Sequence, residues 1–247
     1  MPQPLAGRSA LVTGASRGIG AAIARRLAAD GAAVALTHSD SAAAAEQVAA
    51  EIAVSGGRAL VLRSDAGDPE QVRAAVVATV AEFGGLDILV NNAGTVESGH
   101  LDELPLADFD RALAVNVRGP FVAIQEASKH LPEGGRIINI GTSLADHLPF
   151  QDKIAYITSK TALAGLTRSA ARDLGPRGIT VNDVQPGAVD TAMNPAAGPR
   201  AEGLRSATPL GRYGTPEEIA SLVAHLASPD AAFVTGATLN ADGGFAT

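Results

Sequence analysis

At 247 residues and a net charge of −7, the chain lacks the basic balance that a nucleic-acid or anionic-membrane partner would require. Hydrophobic residues make up 46 % and charged residues 18 %, which is the make-up of a folded domain with a substantial core and excludes a disordered chain. There are no cysteines, so disulfides, thiolate metal sites and a cysteine nucleophile are excluded together, and a cytoplasmic location is the expectation.

The start, Met1 to Leu5, has no basic stretch leading into an apolar one, so no signal peptide is expected, and no apolar run reaches membrane-spanning length. Ser9–Thr13 reads as a first strand, followed by a helix whose Ile19, Ile23 and Leu27 share one stripe. Ala33–Thr37 and Ala59–Arg63 read as the next strands, with an Ala/Glu helix between them. A helix opens at Pro69 behind the N-cap residue Asp68, and Leu86–Val90 is a fourth strand. One long helix is expected from about Leu106 to His130, ahead of a strand at Arg136–Ile140. A second runs from about Asp152 to Leu174, ahead of a strand at Ile179–Asp183, and the last strand lies near Ala237–Asn240. This alternation predicts an α/β fold: a Rossmann-type doubly wound parallel sheet of seven strands, with helices on both faces and a ligand crevice at the strands' carboxyl ends. No linker divides residues 1–247, which form a single domain. Residues 186–214, with four prolines and five glycines, read as a substrate lid.

Between the first strand and first helix lies Thr13-Gly-Ala-Ser-Arg-Gly-Ile-Gly20. Glycines there permit a tight turn and let amides approach a pyrophosphate at the positive helix end, so Gly14, Ser16, Arg17, Gly18, Ile19 and Gly20 are candidate dinucleotide contacts. NAD sites place an acid at the end of the second strand to bind the ribose 2′-hydroxyl. Here that place holds Thr37-His38-Ser39, and a 2′-phosphate fits among His38, Ser39 and Arg17. NADP(H) is therefore favoured over NAD(H), with Asp40 nearby as the opposing sign. Asp65, next to Ala66 just past the third strand, is placed either to reach an adenine amino group or to cap a turn.

Tyr156 and Lys160 are four residues apart, on one helix face. A positive neighbour favours a phenolate, and lowering a tyrosine pKa by about three units corresponds to ~4 kcal/mol. The same spacing also arises on solvated helices, so the pair gains meaning only from its company.

With these elements the chain resembles the short-chain dehydrogenase/reductase family end to end, in its single-domain form and closest to reductases of 3-oxoacyl-carrier-protein type. The resemblance rests on Thr13–Gly20, Asn91-Asn-Ala-Gly94, Asn116, Ser143, Tyr156-x-x-x-Lys160, and Pro186-Gly187 followed by Thr191. It implies that Asn91, Asn92, Ala93 and Gly94 stabilise the sheet and flank the adenine ribose. Ser143 would hydrogen-bond the substrate oxygen, Tyr156 would be general acid and base, and Lys160 would hold the nicotinamide ribose and depress the tyrosine pKa. Asn116 would hold a relay water, while Pro186, Gly187, Val189 and Thr191 would line the nicotinamide end. The expected activity is reversible hydride transfer between NADP(H) and a small-molecule carbonyl or alcohol. The alternatives are an NAD(P)-retaining epimerase or dehydratase, and a non-catalytic NADP-binding protein. The resemblance also implies a homotetramer. No His, Asp or Glu cluster has metal-ligand spacing, so no metal is expected. His147 reads as a rim or surface residue, and the rim around Val96, Leu144, Phe150 and Met193 suggests an apolar substrate without a charged anchor.

Overall fold

Apolar runs too short for helices become seven parallel strands in a computed structural model that describes residues 3–247; Met1 and Pro2, at the expected leaderless start, lie outside the described residues. The strands are β1 (Ser9–Val12), β2 (Ala33–His38), β3 (Ala59–Arg63), β4 (Ile88–Asn91), β5 (Arg136–Ile140), β6 (Thr180–Pro186) and β7 (Thr238–Ala241). Their order is β3-β2-β1-β4-β5-β6-β7, so the winding reverses between β1 and β4 and opens a crevice at their carboxyl ends. The helices are α1 (Gly18–Ala29), α2 (Ala42–Val54), α3 (Pro69–Phe83), α4 (Leu106–Leu113), α5 (Gly119–Ala127), α6 (Ile154–Leu174), α7 (Ala201–Ala207) and α8 (Pro216–Ala227).

Period-two alternation sends strand residues to two cores. Val12, Leu36, Val90, Ile138 and Val184 pack against Ile23 and Leu27 of α1, Val48 of α2 and Val223 of α8. Leu11, Leu89, Ile137 and Val181 pack on the other face against Val76 of α3, Val122 of α5 and Ala170 of α6. Each fully buried Leu or Ile stabilises the fold by about 1.5–3 kcal/mol before cavity effects. One row on the second face is polar. Asn91, Asn139 and Asp183 stand side by side in register on β4, β5 and β6. Asn91 Nδ2 donates to Asn139 Oδ1 at 2.8 Å, and Asn139 Nδ2 donates to Thr167 Oγ1 of α6 at 2.8 Å.

Three elements depart from the sequence reading. The single helix expected over 106–130 is split by a π-helical turn at Ala114–Arg118 and ends at Ala127. The Gly119 amide donates to the Ala114 carbonyl five residues back. The hydrophobic pattern continues through this break, so nothing in the periodicity marks it. A Cβ on Gly119 would lie 2.3 Å from the Ala66 carbonyl oxygen, so glycine lets α5 press onto the loop after β3. α6 starts at Ile154, since Asp152 has φ +61° and cannot belong to a right-handed helix. The segment 186–214 is not wholly irregular: it carries α7, and its base is closed by a bridge between Val189 and Gly214. The cap at Asp68 is as expected, its Oδ1 accepting from the Glu70 and Gln71 amides at 2.9 and 3.3 Å.

Candidate active site

A cavity of about 540 Å³ opens at the carboxyl ends of the strands, within the size range of cofactor sites. Its wall includes all of the expected cofactor contacts: Gly14, Ser16, Arg17, Gly18, Ile19, Gly20, His38, Ser39, Asp65, Ala66, Asn92, Ala93, Gly94, Tyr156, Lys160, Pro186, Gly187, Val189 and Thr191. Gly14 and Gly18 have φ of +63° and +55°, which glycine alone adopts freely. A Cβ on Gly14 would lie 2.8 Å from Ala93 Cα, and one on Gly20 would lie 2.4 Å from Asn92 Nδ2. Asn92 grips the turn through Nδ2, donating to the Thr13 and Gly14 carbonyls at 2.9 Å each. From β2, Thr37 Oγ1 accepts from the Gly14 amide at 3.0 Å. α1 begins without a side-chain cap, which leaves its first amides for an anion at the positive helix end.

At the ribose end, Arg17 and Ser39 are exposed, while His38 is 7 % exposed and its Nδ1 has no partner. Asp65 is engaged in a way its sequence position does not reveal. Its carboxylate accepts two bonds from the Arg111 guanidinium at 3.1 and 3.2 Å and one from the Gly67 amide at 2.8 Å. Arg111 holds its pKa below the usual carboxylate value. Three of about four acceptor positions are used, leaving one for a further donor.

Ser143, Tyr156 and Lys160 line the same cavity wall. Ser143 lies in the 3-10 turn that ends β5, and Tyr156 and Lys160 lie one turn apart on α6. Burial pushes the Tyr156 phenol above its ordinary pKa, with the Thr142 hydroxyl opposing. The protein by itself therefore does not depress this pKa as the spacing suggested. Lys160 Nζ donates to the Ile140 carbonyl at 2.6 Å, and burial lowers its pKa to about 8 against the pull of Asp183. Asn116 does not line the cavity. It is fully buried inside the π-helical turn. Its Nδ2 donates to the Thr95 carbonyl and to Ser159 Oγ, and its Oδ1 accepts from the Thr95 amide. The side chain thus has one lone pair to spare. The site of a Cβ on Gly94 lies 3.3 Å from Asn116 Oδ1 and 3.5 Å from Lys160 Nζ, so Gly94 lets the two come close.

The outer cavity is walled by Val96, Leu144, Phe150, Met193, Leu204 and Phe245, with Lys153 and Arg200 also on its lining. These two cations correct the expectation of a rim without charged anchors. Burial and then Arg200 lower the Lys153 pKa, with Asp152 opposing. His147 stays outside the lining, edge-on to the Phe245 ring at 5.5 Å. Sequence reading missed Arg111, Asp183 and Phe245, because each meets the site only through tertiary packing. Among the described residues no cluster of three metal-ligating side chains occurs, and no helix is long and apolar enough to cross a membrane.

Comparison with known proteins fits this geometry. The family model described as enoyl-(acyl carrier protein) reductase matches residues 14–246. The cyclic-di-GMP-binding biofilm dispersal mediator protein of Escherichia coli (strain K12) is 46 % identical over 239 residues, 97 % of each chain. The solved short-chain dehydrogenase/reductase of Serratia marcescens BCRC 10948 is 55 % identical with a TM-score of 0.97, over 99 % of this chain and 100 % of that one. A short chain dehydrogenase of Burkholderia cenocepacia J2315, solved in complex with NADP, has the same TM-score and coverage at 51 % identity. Glycine turn, parallel sheet, Ser143 and the Tyr156–Lys160 pair agree with full-length similarity to these proteins: the chain belongs to the short-chain dehydrogenase/reductase family of oxidoreductases.

Proposed function

We propose that the protein is an NADP(H)-dependent oxidoreductase interconverting a carbonyl compound and its secondary alcohol, with Tyr156 as general acid and base. The observation that carries this is the convergence of Ser143, Tyr156 and Lys160 on one wall of a cavity that continues to the glycine turn. The tight glycine turn, with Gly14 and Gly20 pressed against Ala93 and Asn92, together with the uncapped start of α1, suits a dinucleotide pyrophosphate. Arg17, Ser39 and the unpartnered His38 Nδ1 suit a 2′-phosphate. The bound nicotinamide supplies or accepts the hydride.

The chain's own residues handle orientation and the proton. The Ser143 hydroxyl donates to the substrate oxygen, where negative charge builds during reduction. Burial keeps Tyr156 protonated, the form from which it donates to that oxygen; in the oxidative direction it takes the proton back. Lys160, with a pKa of about 8, is mostly an ammonium at neutral pH and stabilises the phenolate left behind. Asn116 braces the relay behind this lysine through its spare lone pair. The segment 186–214 acts as the lid over the substrate. The aliphatic and aromatic outer walls favour a bulky apolar carbonyl, with Lys153 and Arg200 able to steer a substrate that also carries an anionic group. The working form in this reading is a cytoplasmic homotetramer.

The test is NADPH oxidation against neutral ketones, β-ketoesters and acyl-thioester mimics. Tyr156→Phe is expected to lower turnover at least about 100-fold while NADPH still binds. Wild-type turnover by that variant would refute the assigned chemistry.

A further inference from the structure

We infer that Asp183 is a positioning residue for this reaction: its buried carboxylate lies beneath the active-site floor and holds Lys160 in the ammonium form. Asp183 is fully buried on β6, on the sheet face that packs against α6. A Cβ on Gly141 would lie 2.7 and 2.8 Å from its two carboxylate oxygens, so the carboxylate sits directly under Gly141. The preceding residue, Ile140, provides the carbonyl that receives Lys160 Nζ at 2.6 Å. Carboxylate and ammonium therefore abut consecutive residues of the same strand end, two positions before Ser143.

The carboxylate is poorly provided for as a structural group. Oδ2 accepts from Gln185 Nε2 at 3.1 Å, whereas Oδ1 has no hydrogen-bond partner among the described residues. A buried acceptor without a donor is costly, and an apolar or amide side chain would fill this place with less penalty. What an acid adds here is negative charge within Coulombic reach of a buried ammonium that it does not touch. Burial pushes the Asp183 pKa up to about 6, with Gln185, Lys160 and the Gly141 amide opposing, while Asp183 opposes the fall of Lys160 to about 8. The charged groups facing Asp183 are Lys160 from α6 and Asp146 from the turn after β5, the latter raising its pKa. Its register neighbours Asn139 on β5 and Thr238 on β7 are neutral, as is Gln185. α8 packs on the opposite face of β6, through Val184. The carboxyl is raised and the ammonium lowered, yet each partner favours the charged form of the other, so both are charged around neutral pH.

Asp183→Asn removes the charge with little change of shape, so Lys160 gives up its proton at lower pH. The basic limb of kcat/KM for ketone reduction is expected to move acidward by about one unit, roughly a tenfold loss above it, with less than about a twofold change at pH 6. The kinetic arm rests on the proposed reaction; a second arm does not. The chain has only three lysines, Lys129, Lys153 and Lys160, so lysine-selective isotope labelling resolves the Lys160 titration by NMR in the NADP-saturated protein. Asp183→Asn is expected to lower that midpoint, and an unchanged midpoint with an unchanged basic limb overturns the inference. If the variant does not fold, aspartate carboxyl NMR of the wild type decides. A buried carboxyl ionised at pH 7.5 supports the inference, and one still protonated there overturns it. A wild type that reduces no carbonyl sinks the reaction proposal, while the lysine titration still decides the role of Asp183.

Discussion

Thr37 sets the shape of the glycine turn from outside it. Its hydroxyl accepts from the Gly14 amide at 3.0 Å and its carbonyl accepts from the Ala15 amide at 2.9 Å, which ties the turn to the end of β2. Thr37→Val keeps the volume and deletes the acceptor, leaving a part-buried amide unpaired. The expected cost is about 1–3 kcal/mol in denaturant unfolding, with weaker NADPH binding by fluorescence titration; unchanged values in both would show that the turn holds itself. At this scale some residues were legible in the sequence and others were not. Gly14, Gly20 and Ser143 stand out because backbone geometry or position in a motif demands them. Asp65 looks free in sequence and is instead held by Arg111, 46 positions away. The tyrosine shows the same limit. Spacing shows Lys160 one turn from Tyr156, but only packing shows that burial outweighs the Thr142 hydroxyl and raises the phenol pKa.

One helix start, at Asp68 ahead of α3, was legible in the sequence, whereas α8 was not read from it at all. α8 opens with a capping box: Thr215 Oγ1 accepts from the Glu218 amide at 3.3 Å, and Glu218 returns a bond to the Thr215 amide at 2.8 Å. Glu218 also takes both guanidinium nitrogens of Arg212 at 2.6 and 2.9 Å, which holds its pKa down to about 2. That ion pair is half exposed and solvent-screened, so the cap is the larger contributor. Thr215→Ala is expected to cost about 1 kcal/mol in urea unfolding, and loss of Arg212 distinctly less. The strands were legible because short β-type runs between glycine-rich turns leave few options; β3 and β5 kept their bounds and the others moved by one to three residues. The break in the helix over 106–130 was not. A π turn alters which carbonyl an amide meets while the side-chain pattern runs on undisturbed, so residue identity carries no mark of it. Asp183 was hidden for a related reason. Ile-Thr-Val-Asn-Asp reads as a strand, and a strand's pattern does not say which helix covers it.

For the whole molecule, the sheet's last strand is the surface that bears on assembly. β7 is an edge strand with Thr238 and Asn240 exposed, and Phe233 shortly before it is fully exposed. An unpaired edge beside an exposed aromatic ring is a surface that proteins usually cover. The expected outcome of sedimentation equilibrium is the mass of four chains, and a mass of one chain would remove the tetramer from the proposal. The strand order has a further consequence, in time rather than space. Central β1 is bounded on one side by β4, and Ser9 and Asp87, joined at the foot of that pairing, are 78 residues apart. At synthesis rates of about 5–20 residues per second, β1 would wait roughly 4–16 s on the ribosome before its second neighbour exists. During that interval the glycine turn has Thr37 on one side and nothing in place of Asn92 on the other, so on the proposed function dinucleotide binding is expected only after β4 has emerged.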